Sequence, residues 1–138
     1  MKKIILFTVL LGLWNASLNA SIIVKVKNIQ DIKGNLMVAV YRNQSELEKR
    51  IQFKEYKLNV QSKEMTFEIS DVDSGEYMIA IFHDVNSNEK LETNFFGIPT
   101  EPYGFSLNQM GRFGPSFEKS KFVYDGKSIT LEIVLTGK

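Results

Sequence analysis

The chain has 138 residues, with 17 Lys and Arg against 16 Asp and Glu, one histidine and no cysteine. That balance, with no basic stripe, argues against a nucleic-acid partner. The missing cysteines exclude disulfides, and a single histidine excludes metal centres built on histidine clusters.

The first 20 residues read as an export signal: a basic start at Met1-Lys2-Lys3, an uncharged apolar run from Ile4 to Trp14, and a small polar segment ending at Ala20, where cleavage is expected. The apolar run of 11 residues is short of the roughly 20 needed to span a bilayer, so no membrane span is expected after cleavage. The expected location is periplasmic or secreted. Without Lys2 and Lys3 the remaining 118 residues carry 15 basic and 16 acidic side chains. That length suits one domain over residues 21–138, large enough to bury a core without disulfides.

Ser21 to Asn28 alternates, with Ile22, Val24 and Val26 on one face and Lys25 and Lys27 on the other, which predicts a half-buried strand. The turn signal Asp31-Ile32-Lys33-Gly34 leads to Asn35–Arg42, apolar on both faces like a central strand. The two segments are predicted to form a hairpin. Between Asn43 and Phe53 helix formers appear, and Asn43 or Ser45 can cap a helix; a short helical turn or loop crossing between sheets is expected. Lys54 to Val60 reads as a weak strand. Lys63 to Ser70 alternates with Met65, Phe67 and Ile69 inward, and Glu76–His83 is a second segment apolar on both faces. Lys121–Tyr124 and Ser128–Leu135 flank Asp125-Gly126, which predicts a terminal hairpin. About seven short strands without a long helix predict an all-β fold. The expected form is a single β-sandwich, immunoglobulin-like or transthyretin-like, with one long ordered loop.

That loop begins HDVNSNEKLETNFFGIPTEPYGFS, His83 to Ser106. Asp84, Asn86 and Asn88 stand at positions 1, 3 and 5 of a calcium-loop spacing, the Lys90 carbonyl at position 7 and Glu92 at position 9. Leu91 is expected to pin the loop to the core, and Asn94 or Glu101 to complete the shell. Glu89 replaces the turn glycine at position 6, and Phe95 replaces the bidentate glutamate at position 12. A ligand charge of only −2 predicts weak affinity for calcium, about 10⁻⁴–10⁻³ M. The alternative is an Asx-turn loop that caps itself and binds nothing.

His83 should face away from Asp84 and donate to a loop carbonyl or carboxylate, so that His83→Ala is structurally near-neutral. The competing role is a general base with Asp84 or Glu101 in a hydrolase. Phe95, Phe96, Tyr103 and Phe105, with Phe113 and Phe117, are expected to form a lid over one open edge or end of the sandwich. Alternatively they form a contact surface for an envelope protein, a glycan or a small ligand.

The same loop, followed by Gly114-Pro115-Ser116-Phe117-Glu118 and preceded by the Gly75–Phe82 strand and Ala39-Val40-Tyr41, resembles domain-of-unknown-function family 2141. The resemblance covers nearly the whole exported chain. It implies an exported β-sandwich and no known activity. The chain departs from the family pattern at Glu89, usually glycine, and at Glu92, usually aspartate.

Overall fold

The computed structural model describes residues 19–137. The predicted export signal lies outside the described residues except for its last two positions. Two sheets pack face to face. In the first, β1 (Ile22–Lys27) lies between antiparallel β4 (Met65–Ile69) and parallel β8 (Ile129–Val134). In the second, β2 (Asn35–Tyr41) lies between β3 (Lys54–Asn59) and the long β5 (Gly75–Asp84). β6 (Tyr103–Phe105) pairs with Ala80–Phe82 of β5, and β7 (Phe122–Tyr124) with Gly75–Tyr77. The fold is the expected all-β sandwich, with eight strands.

Its core is what the alternation predicts. Ile22, Val24 and Val26 of β1 are fully buried in one cluster with Leu36, Val38 and Val40 of β2, Ile79 and Ile81 of β5, and Ile133 and Leu135 at the end of the chain. Each such side chain taken from water contributes about 1.5–3 kcal/mol. A smaller cluster of Tyr41, Met78 and Phe117 gathers Ala39, Leu47, Ala80 and Phe105 around it. Two short helices flank it, α1 (Gln44–Lys49) and α2 (Phe117–Ser120). Asn43 caps α1, its Oδ1 accepting the Glu46 N–H at 2.8 Å, while the Glu46 carboxylate reaches back to the Arg42 N–H at 2.8 Å.

Both predicted hairpins are absent. β1 and β2 belong to different sheets, as do β7 and β8, so the turns at Asp31–Gly34 and Asp125-Gly126 carry the chain from one layer to the other. A turn signal reverses the chain without fixing whether its arms hydrogen-bond. The α1 segment, expected to cross, instead joins the neighbours β2 and β3. The extra strand is β6, whose three residues are too few to show a period.

Serine and asparagine side chains close the seams. Along β5, Ile79 falls between the stretches that pair with β6 and β7. Its N–H donates to the buried Ser106 Oγ at 3.0 Å, and Ser106 donates in turn to the Ser120 carbonyl at 2.5 Å. Tyr103 exchanges two backbone bonds with Thr136, at 2.9 and 2.8 Å, linking the two sheets. Asn108 occupies β8, donating to the Glu132 carbonyl at 3.1 Å and accepting from the Val134 N–H at 2.8 Å. Such cover blunts an exposed strand edge.

Candidate functional site

β5 ends in His83 and Asp84, both fully buried, and pleating sends their side chains to opposite faces. The His83 Nε2–H donates to the Lys33 carbonyl at 2.7 Å, so its Nδ1 carries no proton in the neutral ring; that atom is buried without a partner. The turn it holds is packed tightly. A Cβ at Gly34, where φ is +68°, would lie 2.1 Å from the Asp84 carbonyl oxygen. His83 is thus an internal strut between β5 and the β1–β2 turn. The general-base role is not supported, because no substrate reaches a ring with 0% exposure. The same burial overturns the expectation that His83→Ala is near-neutral.

Asp84 organises the loop. Its Oδ1 accepts the Asn88 N–H at 3.0 Å and its Oδ2 the Glu89 N–H at 2.8 Å. Two Asx turns follow, Asn86 Oδ1 accepting from Asn88 N at 3.2 Å and Asn88 Oδ1 from Lys90 N at 3.0 Å. The amides of Asn86 and Asn88 both donate to Glu92 Oε1, at 2.8 and 2.9 Å. The sequence spacing therefore brings Asp84, Asn86, Asn88 and Glu92 together. Lys90 joins through its amide.

Glu101 clamps the loop from below. It is buried, and its Oε1 accepts from Val85 N at 3.1 Å while its Oε2 accepts from Glu92 N at 3.3 Å. Gln30, Asp31, Val85, Asn86, Glu92, Thr100, Glu101 and Pro102 line a shallow cleft of about 220 Å³ beside this network. The spacing rule did not reach Gln30 and Asp31, which come from the β1–β2 turn more than 50 positions away.

Among the described residues no group of three His, Cys, Asp or Glu side chains is arranged to hold a metal ion. A calcium ion here would need the amide oxygens of Asn86 and Asn88 beside Asp84 and Glu92. Those amides present nitrogen to Glu92, so the donor set fits a hard cation after both amides turn over.

Beyond Glu92 the chain forms a small hairpin. Thr93 bridges Pro99, and the Thr100 N–H and hydroxyl both bond to the Glu92 carbonyl, at 2.8 and 3.2 Å. At its tip Phe95 and Phe96 are 96% and 82% exposed, with rings 5.6 Å apart and nearly perpendicular. The predicted lid fails at these two residues and at Phe113, which is 94% exposed on a separate tip between Gly111 and Gly114. Leu91 does not anchor the loop either, being 41% exposed. Only Phe105 and Phe117 pack as cover, in the smaller cluster, and Tyr103 is half-buried beside Phe105 with ring centroids 5.8 Å apart.

No helix among the described residues is long and apolar enough to cross a membrane. No curated protein and no solved structure matches the chain. A family model described as "Uncharacterized protein conserved in bacteria (DUF2141)" matches residues 24–132, which include β2 to β7 whole and most of β1 and β8. The resemblance carried by the loop thus extends over the fold, and the chain belongs to the DUF2141 family.

Proposed function

We propose that the chain is an exported binding or accessory module, periplasmic or secreted, in which a calcium ion held by Asp84, Asn86, Asn88, Glu92 and the Lys90 carbonyl stiffens the loop that displays Phe95 and Phe96. The observation that carries this reading is the meeting of the Asn86 and Asn88 amides on one oxygen of Glu92, within a loop capped by Asp84. A cation in that place would replace the amide hydrogens as the centre of the network and stabilise the folded state by mass action.

Thermal unfolding with calcium and with chelator tests it. A tenfold excess of calcium over Kd stabilises by about 1.4 kcal/mol, which raises Tm by about 5 °C for a chain of this size. An unchanged Tm at millimolar calcium removes the cation from the reading. A second reading then holds, in which the aromatic surface binds a glycan, a peptide or an envelope protein without metal. It is favoured by the bonds that Asp84 and Glu101 already make to the N–H groups of Val85, Asn88, Glu89 and Glu92 with protein groups alone.

A further inference from the structure

The hairpin tip from Asn94 to Ile98 combines exposed apolar side chains with a backbone that needs few outside partners. Four of its five N–H groups donate within the tip. Asn94 N–H bonds to the Ile98 carbonyl at 2.8 Å and Gly97 N–H to the Asn94 carbonyl at 3.0 Å. Phe96 N–H and Ile98 N–H both bond to Asn94 Oδ1, at 2.9 and 3.1 Å. An N–H carried into an apolar medium without a partner is costly, and for four of the five N–H groups that cost is removed beforehand. From Thr93 to Thr100 there is no charged residue.

The same details weigh against other occupants. A sugar needs directed hydrogen bonds. Asn94 Oδ1 and the Thr100 hydroxyl are already committed within the loop, which leaves the tip few groups for directed bonds to a sugar. A second copy of the chain needs about 800 Å² from each partner. Two rings of about 200 Å² each with the half-exposed Ile98 fall short of that. A lipid surface needs neither directed bonds nor a large matched area.

We propose that this tip is a lipid-contact site. Phe95, Phe96 and Ile98 enter the interfacial region of an electrically neutral bilayer and dock the sandwich on it without spanning it. Among the described residues the carbonyls of Phe95, Phe96 and Gly97 accept no protein hydrogen bond, so they stay near water and keep the insertion shallow. The proposal takes from the reading above only that this tip is the contact surface; its hydrogen bonds are all between protein groups and require no cation.

The test is flotation with phosphatidylcholine vesicles, using the chain as the producing cell processes it, its N-terminus fixed by mass spectrometry. The expected result is a bound fraction that is insensitive to added salt and to chelator. It should fall about tenfold for each ring removed, measured on Phe95→Ser and on Phe95→Ser/Phe96→Ser, whose melting temperature stays that of the parent. Asn94→Ala keeps both rings but frees two N–H groups, and it too should weaken flotation. Absence of flotation, equal flotation of the double variant, or binding that needs anionic lipid and vanishes in salt overturns the proposal. So does loss of glycan or peptide capture by the double variant with no lipid binding in the parent. A calcium effect on Tm without vesicle binding overturns this proposal and leaves the cation reading standing; vesicle binding with no calcium effect does the reverse.

Discussion

Replacing Asp84 by alanine removes the acceptor on which the loop is built. The carboxylate is fully buried and takes two backbone N–H groups, from Asn88 at 3.0 Å and Glu89 at 2.8 Å. A hydrogen bond to a charged group contributes about 1.5–3 kcal/mol. Asn88 and Glu89 are exposed, so water takes over part of both bonds, and a net loss of about 2 kcal/mol is expected. At about 4 °C per kcal/mol for a domain of this size, Tm should fall by about 8 °C in chelator. This departs from the expectation drawn from the loop spacing, under which Asp84→Ala acts only when calcium is present. The structure assigns the residue a role that needs no ion. If calcium binds, the gap between parent and variant widens as it is added, because only the parent gains stability. Asp84→Asn keeps one acceptor oxygen and should fall less. Parallel melts of the three proteins, with chelator and with calcium, make the comparison. Coincident melts of parent and Asp84→Ala in chelator would refute the capping role; a gap that calcium does not widen would refute a ligand role for Asp84.

Other perturbations follow from the same structure. Ser106→Ala leaves the buried Ile79 N–H without its acceptor and should cost about 1–3 kcal/mol, read as a lower urea midpoint at unchanged slope. His83→Ala empties a fully buried position and releases the Lys33 carbonyl; a loss of about 2–4 kcal/mol is expected, measured by urea denaturation. The Glu46 carboxyl is held below the usual carboxylate range, first by the Arg42 side-chain hydrogen bond and also by the Arg42 backbone N–H, against the opposing effect of burial. A depressed folded-state pKa means that its contribution is complete above the unfolded value of about 4.3 and is lost as pH falls through the lower folded value. Glu46→Gln should therefore make the acid limb of a stability-against-pH curve shallower below about pH 4.5.

The layers of the fold were legible in the chain because burial leaves a period. β1 and β4 each face water on one side and alternate; β2 and β5 are central in the larger sheet and read apolar on both sides. The pairing was not legible. β1 meets β8, over 100 residues later, in a parallel register that no local signal encodes. β6 was hidden because three residues carry no period, and its place is fixed by bonds to distant groups such as Thr136. In the loop, Asp84, Asn86, Asn88 and Glu92, which the spacing picks out, meet in one hydrogen-bond network, since alternate residues in a tight turn converge. Spacing says nothing about which way an amide points, and so it missed that Asn86 and Asn88 offer nitrogen to Glu92. As lid residues, Phe95, Phe96 and Phe113 were misread for a related reason. Hydrophobicity predicts burial only where the backbone can turn inward, and the bonds of Asn94 aim this hairpin outward.

Glu89 shows what determines the shape of the loop. A calcium loop of this spacing has glycine at its sixth position, and here the backbone keeps a left-handed φ of 62° although the residue is glutamate. That conformation costs a non-glycine residue about 1–2 kcal/mol. The bond from Glu89 N–H to Asp84 and the ion pair of its side chain with Lys57 act against this cost. The curve is therefore imposed by the buried carboxylate at the loop's start, and glycine at position 89 would only make it easier. The same reasoning bears on any cation. An ion gains only the difference between its own bonds and those already made among Asp84, Asn86, Asn88, Lys90 and Glu92. Turning the two amides toward it gives up their bonds to Glu92 and disturbs the Asx turns at Asn88 N and Lys90 N. A cation that entered here would thus bind weakly, because these groups are already bonded to one another and because the ligand charge is only −2.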